Sequence, residues 1–264
     1  MIWRRLAVTL LALLAVACGS SNNPDATLGW SPEKLYADAK DDMSSGRYDT
    51  AIKTLETLES RYPFGRWAQQ AQIEVAYAHY KNGERVLALA ALERFLKLYP
   101  NHPALDYVYY LKGLVNFNEQ QGWLASFGGQ DLAERDMEAA RESFDAFKQV
   151  VTRFPDSRYA EDSEARMKFL VNAMAAGEVH VARYYYRRGA FVAAANRSQT
   201  AIRKYPQAPA IEEALYILMQ SYARLGLEEH RSDTERVLKR NFPQSEFFAR
   251  GIPQDDRRWW QVWR

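Results

Sequence analysis

The stretch Ala88-Leu89-Ala90-Ala91-Leu92-Glu93-Arg94-Phe95-Leu96-Lys97-Leu98-Tyr99-Pro100 decides the fold. Its apolar side chains recur at helical spacing, and it closes on an aromatic residue followed by proline. Proline lacks an N–H and pushes the residue before it out of the helical region, so the pair is a stop signal. The same pair returns at Tyr62-Pro63, Phe154-Pro155, Tyr205-Pro206 and Phe242-Pro243. Successive prolines are 37, 55, 51 and 37 residues apart. The chain is built from repeats, and each repeat ends in the same way.

Two of those spacings lie near the roughly 34-residue period of a tetratricopeptide (TPR) helix hairpin, and the other two carry insertions. A TPR needs small residues where its two helices cross. Twelve positions before the proline, helix B offers Ala51, Ala88 and Ala194, with Ser143 and Arg231 less well suited. The matching helix-A positions are Ala39, Ala76, Gly113 and Ala182, and Met219 is the exception. Turns fall at Ser45-Gly46, Asn82-Gly83, Gly189 and Gly226. The third repeat is interrupted by a Gly-containing insert, Gly122 to Arg135, between its helices. The extra length before the fourth (157–176) places Ala160, Met167, Leu170 and Val171 on one face, so it is expected to extend or precede helix A of that repeat. No segment alternates with period two, so no sheet is expected. The predicted fold is all-α, a right-handed superhelical solenoid of about five TPR hairpins over residues 32–250.

The N-terminus is a targeting segment. Arg4 and Arg5 precede an uncharged apolar run, Leu6 to Val16, which is shorter than the about 20 residues a membrane span requires. Small residues then lead into Cys18, the only cysteine. The arrangement resembles a lipobox, with Ala15 where the commonest pattern has Leu. Residues 1–17 are therefore expected to be cleaved and Cys18 to be lipidated. Gly19 and Ser20 after the cysteine resemble the signal for export to the outer membrane, which would leave the body in the periplasm. Residues 18–31 read as the lipidated N-terminus and a tether. Cleavage removes two of the 35 basic side chains, so the mature body carries 33 basic and 33 acidic groups. Neutrality argues against nucleic-acid binding, which depends on surplus Lys and Arg. It leaves membrane attachment to the covalent lipid.

No catalytic site is legible. The four histidines, 79, 102, 180 and 230, have no second histidine at helical ligand spacing, so no metal site is expected. Phe127-Gly128-Gly129 is too short for a phosphate loop, and no nucleophile elbow exists. No enzyme activity and no cofactor beyond the lipid are expected. Stacked TPRs instead offer a concave groove lined by helix-A positions. Placing those positions gives Tyr36 in the first repeat, Ile73, Tyr77 and Tyr80 in the second, and Tyr107, Tyr110 and Phe117 in the third. The fourth repeat supplies Arg183, Tyr186 and Arg187, and the fifth Tyr216, Gln220 and Arg224. The aromatic part suits an extended peptide with aromatic side chains. The same tyrosines could equally fill the core between repeats. Trp259, Trp260 and Trp263, in the tail 251–264, fit either a cap on the last repeat or a contact with a partner or a membrane interface.

Specific motifs then carry a family resemblance. They include Arg61-Tyr62-Pro63-Phe64-Gly65, Tyr77-Ala78-His79-Tyr80-Lys81-Asn82, Asp106-Tyr107-Val108 and Lys112-Gly113-Leu114. Further along come the insert from Phe127-Gly128 through Asp131 to Arg135-Asp136, Val181-Ala182-Arg183-Tyr184-Tyr185, Arg188-Gly189-Ala190-Phe191 and Asn196-Arg197. Together they resemble the BamD (ComL/YfiO) family of lipoproteins in the outer-membrane β-barrel assembly (BAM) complex. Arg257 to Arg264 is not matched. The resemblance implies a non-catalytic subunit that binds BamA through its C-terminal repeats, in company with other BAM lipoproteins. It also implies that unfolded β-barrel precursors are received nearer the N-terminus, where the aromatic positions lie. Arg197 is the first candidate for BamA contact, followed by Arg183 and Arg187. A different TPR lipoprotein, such as a secretin pilot or a cell-division coordinator, would share the anchor and fold, but would keep more regular spacing or carry a coiled coil.

Overall fold

The computed structural model describes residues 26–117 and 130–252. The expected signal segment and Cys18, most of the expected insert in the third repeat, and the tryptophans of the tail lie outside that range. Among the described residues there are eleven helices and no strand. They are α1 (Pro32–Ser44), α2 (Tyr48–Arg61), α3 (Arg66–Lys81), α4 (Arg85–Leu98), α5 (Leu105–Asn116), α6 (Gln130–Arg153), α7 (Ala160–Arg187), α8 (Phe191–Lys204), α9 (Ile211–Arg224), α10 (Glu228–Asn241) and the short α11 (Phe247–Arg250). In order, the first ten alternate as the A and B helices of five TPR-type repeats. Ser31 opens the series: its side chain accepts from the Lys34 amide at 3.3 Å, and Pro32 follows where no amide partner is needed.

The aromatic–proline signature acts as one device used five times. The amides of Tyr62, Tyr99, Phe154, Tyr205 and Phe242 each donate to the carbonyl four residues back, at 2.8–2.9 Å. Those carbonyls belong to Leu58, Phe95, Val150, Ala201 and Leu238, none more than 1% exposed. The aromatic residue thus closes the last helical bond. Its own backbone has already left the helix, with ψ between 51° and 68° at Tyr62, Tyr99, Tyr205 and Phe242.

Two compact units divide within α3, at Ala78 and His79. In the first, α1 packs on α2. Its core is Leu35, Ala39, Met43, Ala51, Leu55, Leu58 and Ala71, edged by Trp30, Tyr36, Tyr48, Tyr62, Trp67, Val75 and Tyr77. In the second, α5 packs on α6, α6 on α7, α7 on α8, α8 on α9 and α9 on α10. One continuous apolar core runs from Phe147 on α6 to Leu238 on α10.

The crossing positions are where the sequence puts them, except for Arg231, which is not buried and pairs with Glu228 and Glu235 of its own helix. Ala39, Ala51, Ala76, Ala88, Ala182 and Ala194 are fully buried. Ser143 is buried too, and its hydroxyl donates to the Gly113 carbonyl across the α5–α6 crossing at 2.9 Å. A Cβ on Gly113 would lie 2.5 Å from the Phe147 ring, so only glycine fits there. Met219, the large residue at a crossing, is nonetheless buried.

The two irregular spacings have different causes. The 28 residues of α7 run unbroken, so the extra segment before the fourth repeat is an extension of its helix A. The helix α6 is 24 residues long and begins at Gln130, inside the stretch expected to be an insert up to Arg135. The described part of that stretch is helical.

Candidate partner-binding surfaces

In the first unit, Tyr36 is half-buried, its ring centroid 5.3 Å from that of Trp67. Its hydroxyl donates to Glu74 Oε1 at 2.9 Å, and Lys40 Nζ reaches the same oxygen at 3.0 Å. Loss of solvent, and then the Glu74 charge, push the Tyr36 phenol above its ordinary range, so it remains a donor. Trp67 in turn donates from Nε1 to Glu33 at 2.8 Å and lies under Arg66. Tyr77 is half-buried at the edge of this core. Ile73 is only 3% exposed, which removes it from any open lining: a branched aliphatic side chain at that register belongs to the packed interior. Trp67 and Glu74 are additions that the helix-A register did not pick out.

In the second unit, Tyr80 is half-buried. The three aromatics of the third repeat meet the N-terminal half of α7. Tyr110 stacks on Tyr159 at 4.6 Å and donates to Asp162 Oδ2 at 2.8 Å. Asp162 also accepts from Arg166 Nε at 2.6 Å. Burial works against the Asp162 charge, but the hydrogen bonds from Arg166 and Tyr110 outweigh it and hold the carboxyl below its usual range. Phe117 meets Phe147 edge-on, lies 5.6 Å from Phe169 and sits under the Arg166 guanidinium at 4.7 Å. Tyr107 is 5.6 Å from Tyr159. Tyr110 and Phe117 therefore stitch the seam between the third repeat and α7. Tyr159 and the 44%-exposed Phe169 widen the aromatic surface beyond the expected residues.

The three arginines differ. Arg183 forms a two-pronged bond with Glu213, 2.6 Å on each side, that ties α7 to α9. Its guanidinium is already committed. Arg187 is exposed at the end of α7. Arg197 is half-exposed and bonds Glu178 at 3.2 Å; that carboxylate is only 5% exposed. A shallow depression of about 460 Å³ is lined by Gly189, Ala190, Phe191, Val192, Ala193, Asn196 (the residue before Arg197 in the chain) and Leu225. Around it Val192 (60%), Tyr184 (48%), Leu227 and Leu225 are exposed. Arg224 lies over Phe191 and Arg188 over Tyr184. An open apolar floor rimmed by arginines that rest on aromatic rings is interface chemistry. Among the described residues no cluster of side chains could hold a metal ion, and no helix is long and apolar enough to cross a membrane. His79 and His102 have local roles: the first bonds Glu84, and the second accepts from the Ala104 amide while packing edge-on against Phe95.

The model of a family described as YfiO, outer membrane lipoprotein, matches residues 30–238. The chain belongs to that family. A Neisseria meningitidis serogroup A relative is 48% identical over 98% of this chain and 98% of its own length. A Vibrio cholerae relative is 37% identical over 88% of this chain and 98% of its own, and one from Xylella fastidiosa Temecula1 is 36% identical over 90% and 82%. All three bear the name outer membrane protein assembly factor BamD. Among solved structures, TPR-like repeats of a kinesin light chain from Podosopora anserina are 15% identical, covering 82% of this chain and all of that one, with a TM-score of 0.35. That likeness is too loose to bear on the YfiO family's fold, which rests on the hairpins themselves.

Proposed function

We propose that the chain is a lipid-anchored, non-catalytic subunit of the outer-membrane β-barrel assembly complex. Its C-terminal repeats bind BamA, and its aromatic positions nearer the N-terminus receive unfolded β-barrel precursors. The observation that carries the assembly role is the end-to-end identity of 48% with a protein named as an assembly factor. The depression lined by Phe191, Val192 and Asn196 supports the BamA assignment, because it joins exposed apolar area to the guanidinium of Arg224, which rests on Phe191. For precursors, the supporting features are Tyr36 and Tyr77 in the first unit, and Tyr107 with Tyr159 in the second. Both sets leave ring area accessible and need little side-chain ordering to bind.

Affinity capture from solubilised outer membrane tests the reading. BamA and other BAM lipoproteins are expected in the eluate. An eluate that contains a secretin or a division protein and lacks BamA would overturn it. Precursor binding is tested by photo-crosslinking a peptide with an aromatic C-terminal residue, which Tyr77→Ala is expected to weaken while BamA capture stays intact.

A further inference from the structure

One end of the first unit has a surface that the assembly role leaves unused. At this end α1 begins, α2 ends and α3 begins. The segment before α1 is fastened there: Arg61 donates to the Thr27 carbonyl at 2.5 Å, and the Tyr62 hydroxyl to the Trp30 carbonyl at 2.9 Å. Leu28 is 80% exposed and Phe64, in the turn between α2 and α3, is 90% exposed. Trp30 and Trp67 are half-buried beside them. Lys34 Nζ lies 4.0 Å over the Trp30 ring, and the Arg66 guanidinium 4.8 Å over Trp67. The charged residues within 26–35 and 60–67 are Lys34, Arg61, Arg66 and Glu33, three positive against one negative, in a mature body that is neutral as a whole.

We infer that this end face is a phospholipid contact: Leu28, Phe64, Trp30 and Trp67 rest in the interfacial layer of an anionic bilayer, with Lys34 and Arg66 at the headgroups. Three observations select a membrane as the occupant. The first is chain length. Leu28 is ten residues from Cys18, so a lipid on Cys18 holds the face within about 36 Å of the bilayer even at full extension. The second is composition, since half-buried tryptophans flanked by cations suit the boundary between headgroups and acyl chains. The third is the sign of the local charge, which complements anionic lipid. Tethering makes the contact intramolecular, so even a weak affinity is occupied and would orient the first unit against the membrane. The inference rests on the lipid-anchor part of the function proposed above.

The test uses the mature chain in two forms, lipidated and Cys18→Ser, with vesicles of phosphatidylethanolamine and phosphatidylglycerol. The Cys18→Ser chain is expected to partition measurably onto these vesicles, and less onto phosphatidylcholine alone. Adding Leu28→Ser and Phe64→Ser should reduce that partition about tenfold, since each removes an apolar side chain from the contact. Both side chains are mostly exposed, so the circular dichroism spectrum and melting temperature should not move. Hydrogen exchange should slow at amides 27–30 and 64–67 when vesicles are added. Equal partition with and without the two substitutions overturns the inference, as does exchange protection confined to other segments. Loss of a protein partner from the double variant with vesicle partition unchanged also overturns it, and gives the face to that partner. Failure of the lipidated wild-type chain to float with vesicles would instead refute the anchor.

Discussion

Replacing Gly113 by alanine should destabilise the second unit, although alanine is the better helix former. In an open helix the exchange gains about 1 kcal/mol. Here the added methyl would lie 2.5, 2.7 and 2.8 Å from three atoms of the Phe147 ring. Carbon atoms pack best at about 3.5–4.0 Å, so the ring or the helix must shift by about 1 Å. Phe147 is fully buried, and the rings of Tyr110 and Phe117 lie 5.9 and 6.1 Å from it, so it has little room to yield. Overpacking of this kind costs about 1–3 kcal/mol, and the lower end is reached only when neighbours relax. With both neighbours aromatic, a net loss of about 1–2 kcal/mol is expected after the helical gain. For a body of this size that lowers the melting temperature by about 2–8 °C. The measurement is thermal unfolding by circular dichroism for the wild type, Gly113→Ala, Phe147→Leu and the pair. Leucine in place of the Phe147 ring should make room for the methyl, so the double variant should be more stable than the two single losses predict, by about 1 kcal/mol or more. A Gly113→Ala protein that melts at or above wild type would falsify the close-crossing argument.

Charge reversal at Arg197 should lower stability by about 1–2 kcal/mol, between the values for exposed and buried pairs, because it strands the Glu178 carboxylate. Adding Glu178→Gln should restore the melting temperature, and any loss of BamA capture that persists then belongs to the interface. Val192→Asp, on the open floor it shares with Phe191 and Asn196, should reduce BamA capture about tenfold or more with unchanged melting. Asp162 titrates in the folded state below its ordinary value of 3.8, so its contribution to stability is fully present above that pH and fades as the pH falls through the lower folded value. Asp162→Asn should therefore flatten the fall in stability below about pH 4 and leave its pH dependence near neutrality unchanged; an unaltered acid slope counts against the Tyr110–Asp162–Arg166 cluster.

The repeats were legible because their signals are local. An aromatic–proline pair stops a helix whatever surrounds it, and the hydrogen bonds from Tyr62 and Tyr99 show the mechanism the sequence implied. Small residues at the crossings were legible for a similar reason: close helix approach excludes large side chains, and Ala51, Ala88 and Gly113 sit at a fixed count from the proline or from its partner helix. The site was only partly legible. Helical register put Ile73 and Tyr77 on the same groove-lining face, yet one is interior and the other is at the edge. Register also identified Tyr107, Tyr110 and Phe117 without revealing that Tyr159, Asp162 and Phe169, on the far side of an insert, would meet them.

The sequence by itself thus determined the class of the protein. Helix stops, crossing residues and turns each depend on a few neighbouring residues, and together they specify helical hairpins. Only the tertiary structure decided which side chains are free to bind. Arg183 is spent on Glu213, Arg197 is tethered to a buried Glu178, and Tyr110 is bonded to Asp162, while Phe64 and Val192 stand open. The reason is physical: availability depends on what lies opposite a side chain, and in these three bonds the partner comes from another helix 19 to 52 residues away.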